Sequence, residues 1–178
     1  MNFRLVALRL YVPYRLRRAK LHALLSAAAT GFNKPAPNLK GLNFRQAWQT
    51  FATFTRTAAT ELFASKGDPA PVLAGLTQAT NELGRVLRHE LHITNPNDAL
   101  IALEVLYAAL GVKWHNTEEG MVTVRRCQFS RLYTPQICQL MSAMDQGLVD
   151  GITNGGKLTW SERITEGLPC CRGRIELP

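Results

Sequence analysis

Apolar and polar positions change period partway along the chain. From residue 44 the apolar positions Phe44, Ala47, Trp48, Phe51, Phe54, Ala58, Leu62 and Phe63 follow mostly three- and four-residue steps. That spacing predicts a helix capped by Asn43 and ending near Gly67, and its aromatic stripe reads as core rather than as a cofactor box. Asp68-Pro69 offers a cap and a first-turn proline for a second helix running toward His92. Asn95-Pro96-Asn97-Asp98 repeats that start signal for the strongly apolar stretch Ala99 to Leu110, closed by Gly111.

Beyond Gly111 the pattern alternates. Val112 to His115 and Met121 to Arg125 flank a turn, Asn116 to Gly120, and predict a strand pair. A helix is expected from Pro135 to about Gly151, then a second strand pair, Lys157 to Ile164 and Cys171 to Leu177, around the turn Glu166-Gly167-Leu168-Pro169. Helices first and antiparallel strands later predict an α+β fold: N-terminal helices packed on a C-terminal antiparallel sheet, with one intervening helix. The concave side of that sheet, roofed by the intervening helix, is where a small-molecule pocket is expected.

The first 31 residues differ from the rest. Phe3 to Val12 is apolar with arginines inserted, Pro13 should break any helix there, and Tyr14 to Leu21 continues the basic pattern. The stretch can be read as a helix docked on the body, a basic amphipathic helix lying on an anionic membrane, or an organellar presequence. Gly31 to Asn43 is rich in Gly, Pro and Asn. The expected organisation is therefore a basic amphipathic leader at 1–31, a linker at 32–42 and one α+β domain at 43–178.

Charge sharpens this division. The net charge is +8, yet the first 60 residues hold ten Lys or Arg and no acid, while the other 118 carry 11 basic and 13 acidic groups. Basic character concentrated at one end argues against a nucleic-acid-binding body. At 178 residues and 46% hydrophobic composition the chain suits a single folded domain. Cys127, Cys138, Cys170 and Cys171 lie in the last third, two of them adjacent, unlike the spaced framework of a small secreted domain. No apolar run is long enough to span a bilayer and no secretory signal is evident, so a cytoplasmic placement, peripheral to a membrane if residues 1–31 bind one, is the expectation.

The C-terminal third carries the candidate chemistry. Arg126-Cys127-Gln128-Phe129, then Asp145-Gln146-Gly147-Leu148, Lys157-Leu158, Arg163-Ile164-Thr165-Glu166-Gly167 and Cys170-Cys171 together resemble the end of the L-2-amino-thiazoline-4-carboxylic acid hydrolase family. The chain departs from that pattern at Gln128, in the placing of Cys138 and at Leu168-Pro169. The resemblance implies a pocket for a small carboxylate-bearing cyclic amidine and a C–N hydrolase or a diverged relative. In that reading Cys127 or Cys171 attacks or hydrogen-bonds the amidine, Asp145 receives its cationic nitrogen, and Arg126 or Arg163 pairs with the substrate carboxylate. Cys138 and Cys170 complete the expected substrate contacts. The structural alternative is that the cysteines are small buried side chains.

The same stretch is similar to vinyl-4-reductase type small-molecule-binding domains, which implies as an alternative a non-catalytic binder of a hydrophobic or tetrapyrrole-like ligand. Some of those domains hold zinc through three cysteines and a glutamate. Here Arg163 stands where a ligand cysteine would, and a guanidinium cannot ligate a cation, so no metal is expected. No cofactor is expected either, since phosphate-loop and dinucleotide signatures are missing from the sequence. His89 and His92 read as solvated residues near a helix end. The expected partners are a small-molecule ligand or substrate, an anionic membrane surface for residues 1–31 (which would make the chain a membrane-peripheral adaptor) and a second copy of the chain, but no nucleic acid.

Overall fold

The computed structural model describes residues 2–117 and 119–178; Glu118, within the expected 116–120 turn, lies outside the described residues, as does Met1. Among the described residues six α-helices and four strands form the expected α+β arrangement. The first helix, α1 (Phe3–Leu10), is capped by the Asn2 side chain, and α2 (Tyr14–Gly31) starts directly after Pro13. Proline has no N–H to continue α1 and is favourable where a new helix opens. Next comes α3 (Phe44–Ala64), where Asn43 and Gln46 form a reciprocal capping box. In α4 (Ala70–Glu90) the Asp68 carboxylate accepts from the Ala70 N–H, and in α5 (Pro96–Ala109) the Asn95 side chain accepts from the Asp98 N–H.

The sheet follows. β1 (Lys113–Asn116) and β2 (Met121–Arg126) form a hairpin, α6 (Pro135–Thr153) crosses over, and β3 (Lys157–Glu162) with β4 (Cys171–Glu176) forms a second hairpin. Strand order is β1-β2-β4-β3, antiparallel throughout, with Val124 opposite Cys171 and Leu158 opposite Ile175. Alternation sets the faces. Trp114, Val122, Val124, Leu158 and Ile175 turn to the helices and are buried, whereas Lys113, Arg125, Lys157, Arg172 and Arg174 face solvent. Gly120 is required where β2 begins: its φ is +81°, and a Cβ there would meet the Ile175 carbonyl oxygen at 2.1 Å.

The leader and linker division is not a boundary of packing. Leu5, Leu21, Leu24 and Leu25 are all at most 2% exposed and share one hydrophobic core with α3, α5, α6 and the sheet. Polar ties fix the same helices. Arg9 pairs with Glu104 at 3.0 Å, the Asn2 amide donates to the Leu91 carbonyl, and Arg18 donates to the carbonyls of Leu39 and Leu42. Glu104 is itself buried on α5 and also accepts from the Asn116 N–H and contacts His115 Nδ1 at 3.3 Å, joining α1, α5 and β1. Of the three readings of residues 1–31, the docked helix describes the fold. The apolar face of α2 is consumed by the core because helices as short as these gain most of their stability from burying such a face.

No helix among the described residues is long and apolar enough to cross a membrane.

Candidate functional site

A pocket of about 120 Å³ opens between the inner face of the sheet and the helices. α6 supplies Cys138, Met141 and Asp145 at one-turn spacings, so one face of the helix looks into it. The sheet supplies Trp114, Val124, Trp160 and Cys171; Tyr107 comes from α5, Phe51 from α3 and Leu24 from α2. Cys127 and Phe129 lie in the short segment after β2, and Arg163 just after β3.

Four of the expected residues that stand far apart in sequence therefore meet: Cys127, Cys138, Asp145 and Cys171, with Arg163 as a fifth. Two others do not. Arg126 ends β2 opposite Lys113, where the register shifts, and it is exposed and not part of the lining. Cys170 is buried but is not part of the lining, because its neighbour Cys171 faces inward and successive strand residues point to opposite sides. Arg126, expected as a carboxylate clamp, and Cys170, expected as a substrate contact, thus lie outside the pocket lining, and Arg163 is the guanidinium within it.

Asp145 is the focus of the polar contacts. Its carboxylate accepts from the Tyr107 hydroxyl at 2.5 Å, a short charge-assisted bond. Burial pushes its pKa up to about 6, opposed by the Tyr107 hydrogen bond, by the nearby Arg163 charge and by the Trp160 indole. The Tyr107 ring stacks on Trp114 at 4.2 Å, and Trp160 meets Trp114 edge-on at 5.6 Å. Tyr107, Trp114 and Trp160 were not singled out as site residues by sequence. The available signal was Tyr107 itself, a hydroxyl inside an otherwise apolar helix, which needs a partner when buried.

Arg163 is held on one side only. Its Nη1 lies 3.6 Å from the Glu166 carboxylate, while its Nε is buried with no hydrogen-bond partner in the protein. A buried guanidinium N–H left without an acceptor costs free energy unless a ligand satisfies it. On the far wall, Tyr133 shares a 2.6 Å hydrogen bond with Thr55 and stacks on Phe129, which in turn packs on Trp48.

The thiols are not activated. Burial pushes Cys127 up to about 12, outweighing the backbone N–H groups of Ser130 and Phe129 that favour the thiolate. Burial also raises Cys138 and Cys171, and the Arg163 charge offsets it only in part. At pH 7 a thiol near 12 is ionised to roughly one part in 10⁵. Native protein treated with iodoacetamide at pH 7 should therefore keep Cys127 unmodified over a time in which the urea-unfolded chain reacts fully, as read by peptide mass spectrometry. Rapid labelling of native Cys127 would show a thiolate that this geometry does not provide.

His89 and His92 are exposed, with rings 6.5 Å apart, and His92 lies past the end of α4. Among the described residues no three His, Cys, Asp or Glu side chains are grouped to hold a metal ion. Comparison of the chain with protein-family models, with curated proteins and with solved structures gave no match.

Proposed function

We propose that the pocket takes a small ring-bearing molecule carrying an amidine-type cation and a carboxylate, and that the protein is a hydrolase of such a cyclic amidine or a diverged relative. The observation that carries this is Asp145, a carboxylate with a pKa near 6 set among aromatic rings, with Arg163 in the same wall and its Nε unpaired. Asp145 receives the amidinium and Arg163 the carboxylate. Trp114, Trp160 and Tyr107 supply faces on which a planar cation can lie.

The catalytic group in this reading is Asp145 rather than a cysteine. Water adds to the amidine carbon while Asp145 takes its proton. The ring C–N bond then opens, and Asp145 returns that proton to the departing nitrogen, so water alone is consumed. A carboxylate with a pKa near 6 is suited to both halves of that exchange near neutral pH. Size excludes one alternative. A cavity of about 150 Å³ admits benzene, so about 120 Å³ is far too small to enclose a tetrapyrrole.

The apolar walls and the unionised thiols favour one other reading, a binder of the same small molecule without turnover. Titration of 2-amino-thiazoline-4-carboxylate, followed by calorimetry and by product formation, separates the two. Arg163→Met should weaken binding at least tenfold, and Asp145→Asn should abolish turnover. Binding without turnover in the wild-type chain would leave the binder; absence of both would overturn the proposal.

A further inference from the structure

The outward face of α1 is apolar and uncovered. Phe3, Ala7 and Leu10 recur at four- and three-residue steps on the side away from buried Leu5, and all three are exposed. Phe3 is 79% exposed and Leu10 86%, and the chain continues through Tyr11 at 70%. With Tyr14, these make four of the eight large hydrophobic side chains exposed among the described residues, gathered within residues 3–14. A docked helix ordinarily spends one apolar stripe on the body, as α1 does through Leu5, and leaves the other side polar.

The surroundings of this stripe are cationic. Arg4, Arg9 and Arg15 are exposed, Arg4 while donating to the Glu90 carbonyl at 3.1 Å and Arg9 while paired with Glu104, and the first 60 residues contain no acid. The carboxylates that reach the region from elsewhere are already engaged, Glu90 by Lys20 at 2.6 Å and Glu104 by Arg9 at 3.0 Å. Arg17 and Arg18 turn inward to the carbonyls of Ala109, Leu39 and Leu42. Charge then selects the occupant. A second copy related by a two-fold axis would bring the same cationic face against itself, which like charges oppose. A surface of anionic lipid headgroups neutralises the arginines and gives the apolar side chains a boundary to enter.

We propose that the outer face of α1 and the corner at Tyr11 dock the folded protein on an anionic membrane surface. Phe3, Leu10 and Tyr11 enter the headgroup boundary, with Arg15 at the level of the phosphates. Each contribution is weak alone, and stable attachment comes from their sum. The docking residues are separate from the pocket, so this inference stands independently of the proposed reaction.

The test is co-flotation of the full chain with vesicles of phosphatidylcholine containing about 30 mol% phosphatidylserine, against phosphatidylcholine alone. Wild type should partition at least tenfold better onto the anionic vesicles, and high salt should reverse this. The triple variant F3S/L10S/Y11S and the single variant Arg15→Glu should each lose at least fivefold, while Asp145→Asn floats like wild type. These side chains are solvent-facing, so unchanged urea midpoints are expected; if the triple variant unfolds, Arg15→Glu decides alone. Equal partition onto both vesicle types, or undiminished flotation of a folded variant, would overturn the proposal. So would a lipid-free dimer, seen by light scattering, that the triple substitution dissolves.

Discussion

Asp145→Asn is expected to make the protein more stable at pH 7, by about 2 kcal/mol, while abolishing the turnover proposed for the site. The reason is the burial that pushes the Asp145 pKa from 3.8 up to about 6. The folded chain holds this proton more tightly than the unfolded chain, so the residue's favourable contribution is complete below about pH 4 and declines as pH rises through about 6. Above that, ionised Asp145 costs the fold up to about 3 kcal/mol, one pKa unit being about 1.4 kcal/mol. Asparagine keeps an oxygen to accept the Tyr107 hydroxyl and carries no charge to desolvate. Urea unfolding of the two proteins from pH 4 to 7.5, followed by tryptophan fluorescence, gives the comparison: the difference in stability should grow with pH and level off above 6. A difference independent of pH would mean that Asp145 is not held out of water. A bound cation reverses the sign, because it favours the carboxylate; ligand affinity in the wild-type chain should therefore rise from pH 5 to 7, and that rise should vanish in the variant. A group retained against the stability of the fold is what a functional site predicts.

Gly147→Ala should be strongly destabilising, by about 3 kcal/mol or more. α4 and α6 cross so closely that a Cβ on Gly147 would lie 2.2 Å from both the Thr77 carbonyl oxygen and the Thr80 hydroxyl. Neither can step aside. Thr77 presents main chain, and Thr80 is fully buried with its hydroxyl donating to the Leu76 carbonyl at 2.7 Å. One turn on, Gly151 faces Gly84 and would meet the Asn81 carbonyl oxygen at 2.3 Å. Backbone on backbone leaves no rotamer to change, so one added methyl must separate the helices. Stabilities of natural domains are of order 5–15 kcal/mol, and this loss is a large share of that. The urea midpoint reads it directly. Since Asp145, Met141 and Cys138 ride on α6, the same substitution should also weaken ligand binding. A midpoint within experimental error of wild type would show that the two helices are not in this contact.

Much of the fold was legible in advance. The α3 cap at Asn43, the α5 start at Asn95, both strand pairs and the crossover helix follow from caps, turns and period alone. Residues 1–31 were not legible in the same way. A basic amphipathic stretch has the same periodicity whether its apolar face meets lipid or protein, and Leu21, Leu24 and Leu25 are committed only by what packs against them. The pairing of Gly84 with Gly151 is equally invisible along the chain, because a glycine inside a helix reads as a weakness until a neighbouring backbone fills its place.

The site divides along the same line. Motif resemblance brought forward Cys127, Cys138, Asp145, Arg163 and Cys171, and they line one pocket; the same reasoning included Arg126 and Cys170, which do not. Alternation along β2 and β4 settles which neighbour faces inward, and the strand ends, where a register shift occurs, are where sequence alone cannot count it. By itself the sequence determined the elements, their order and the residue types available for chemistry, because caps, turns and hydrophobic period act over a few residues. Only tertiary structure decided that Tyr107 would hold Asp145, that tryptophans from β1 and β3 would wall it, and that burial would silence the thiols. Those properties depend on desolvation and on contacts between distant segments, and neither exists until the helices close over the sheet.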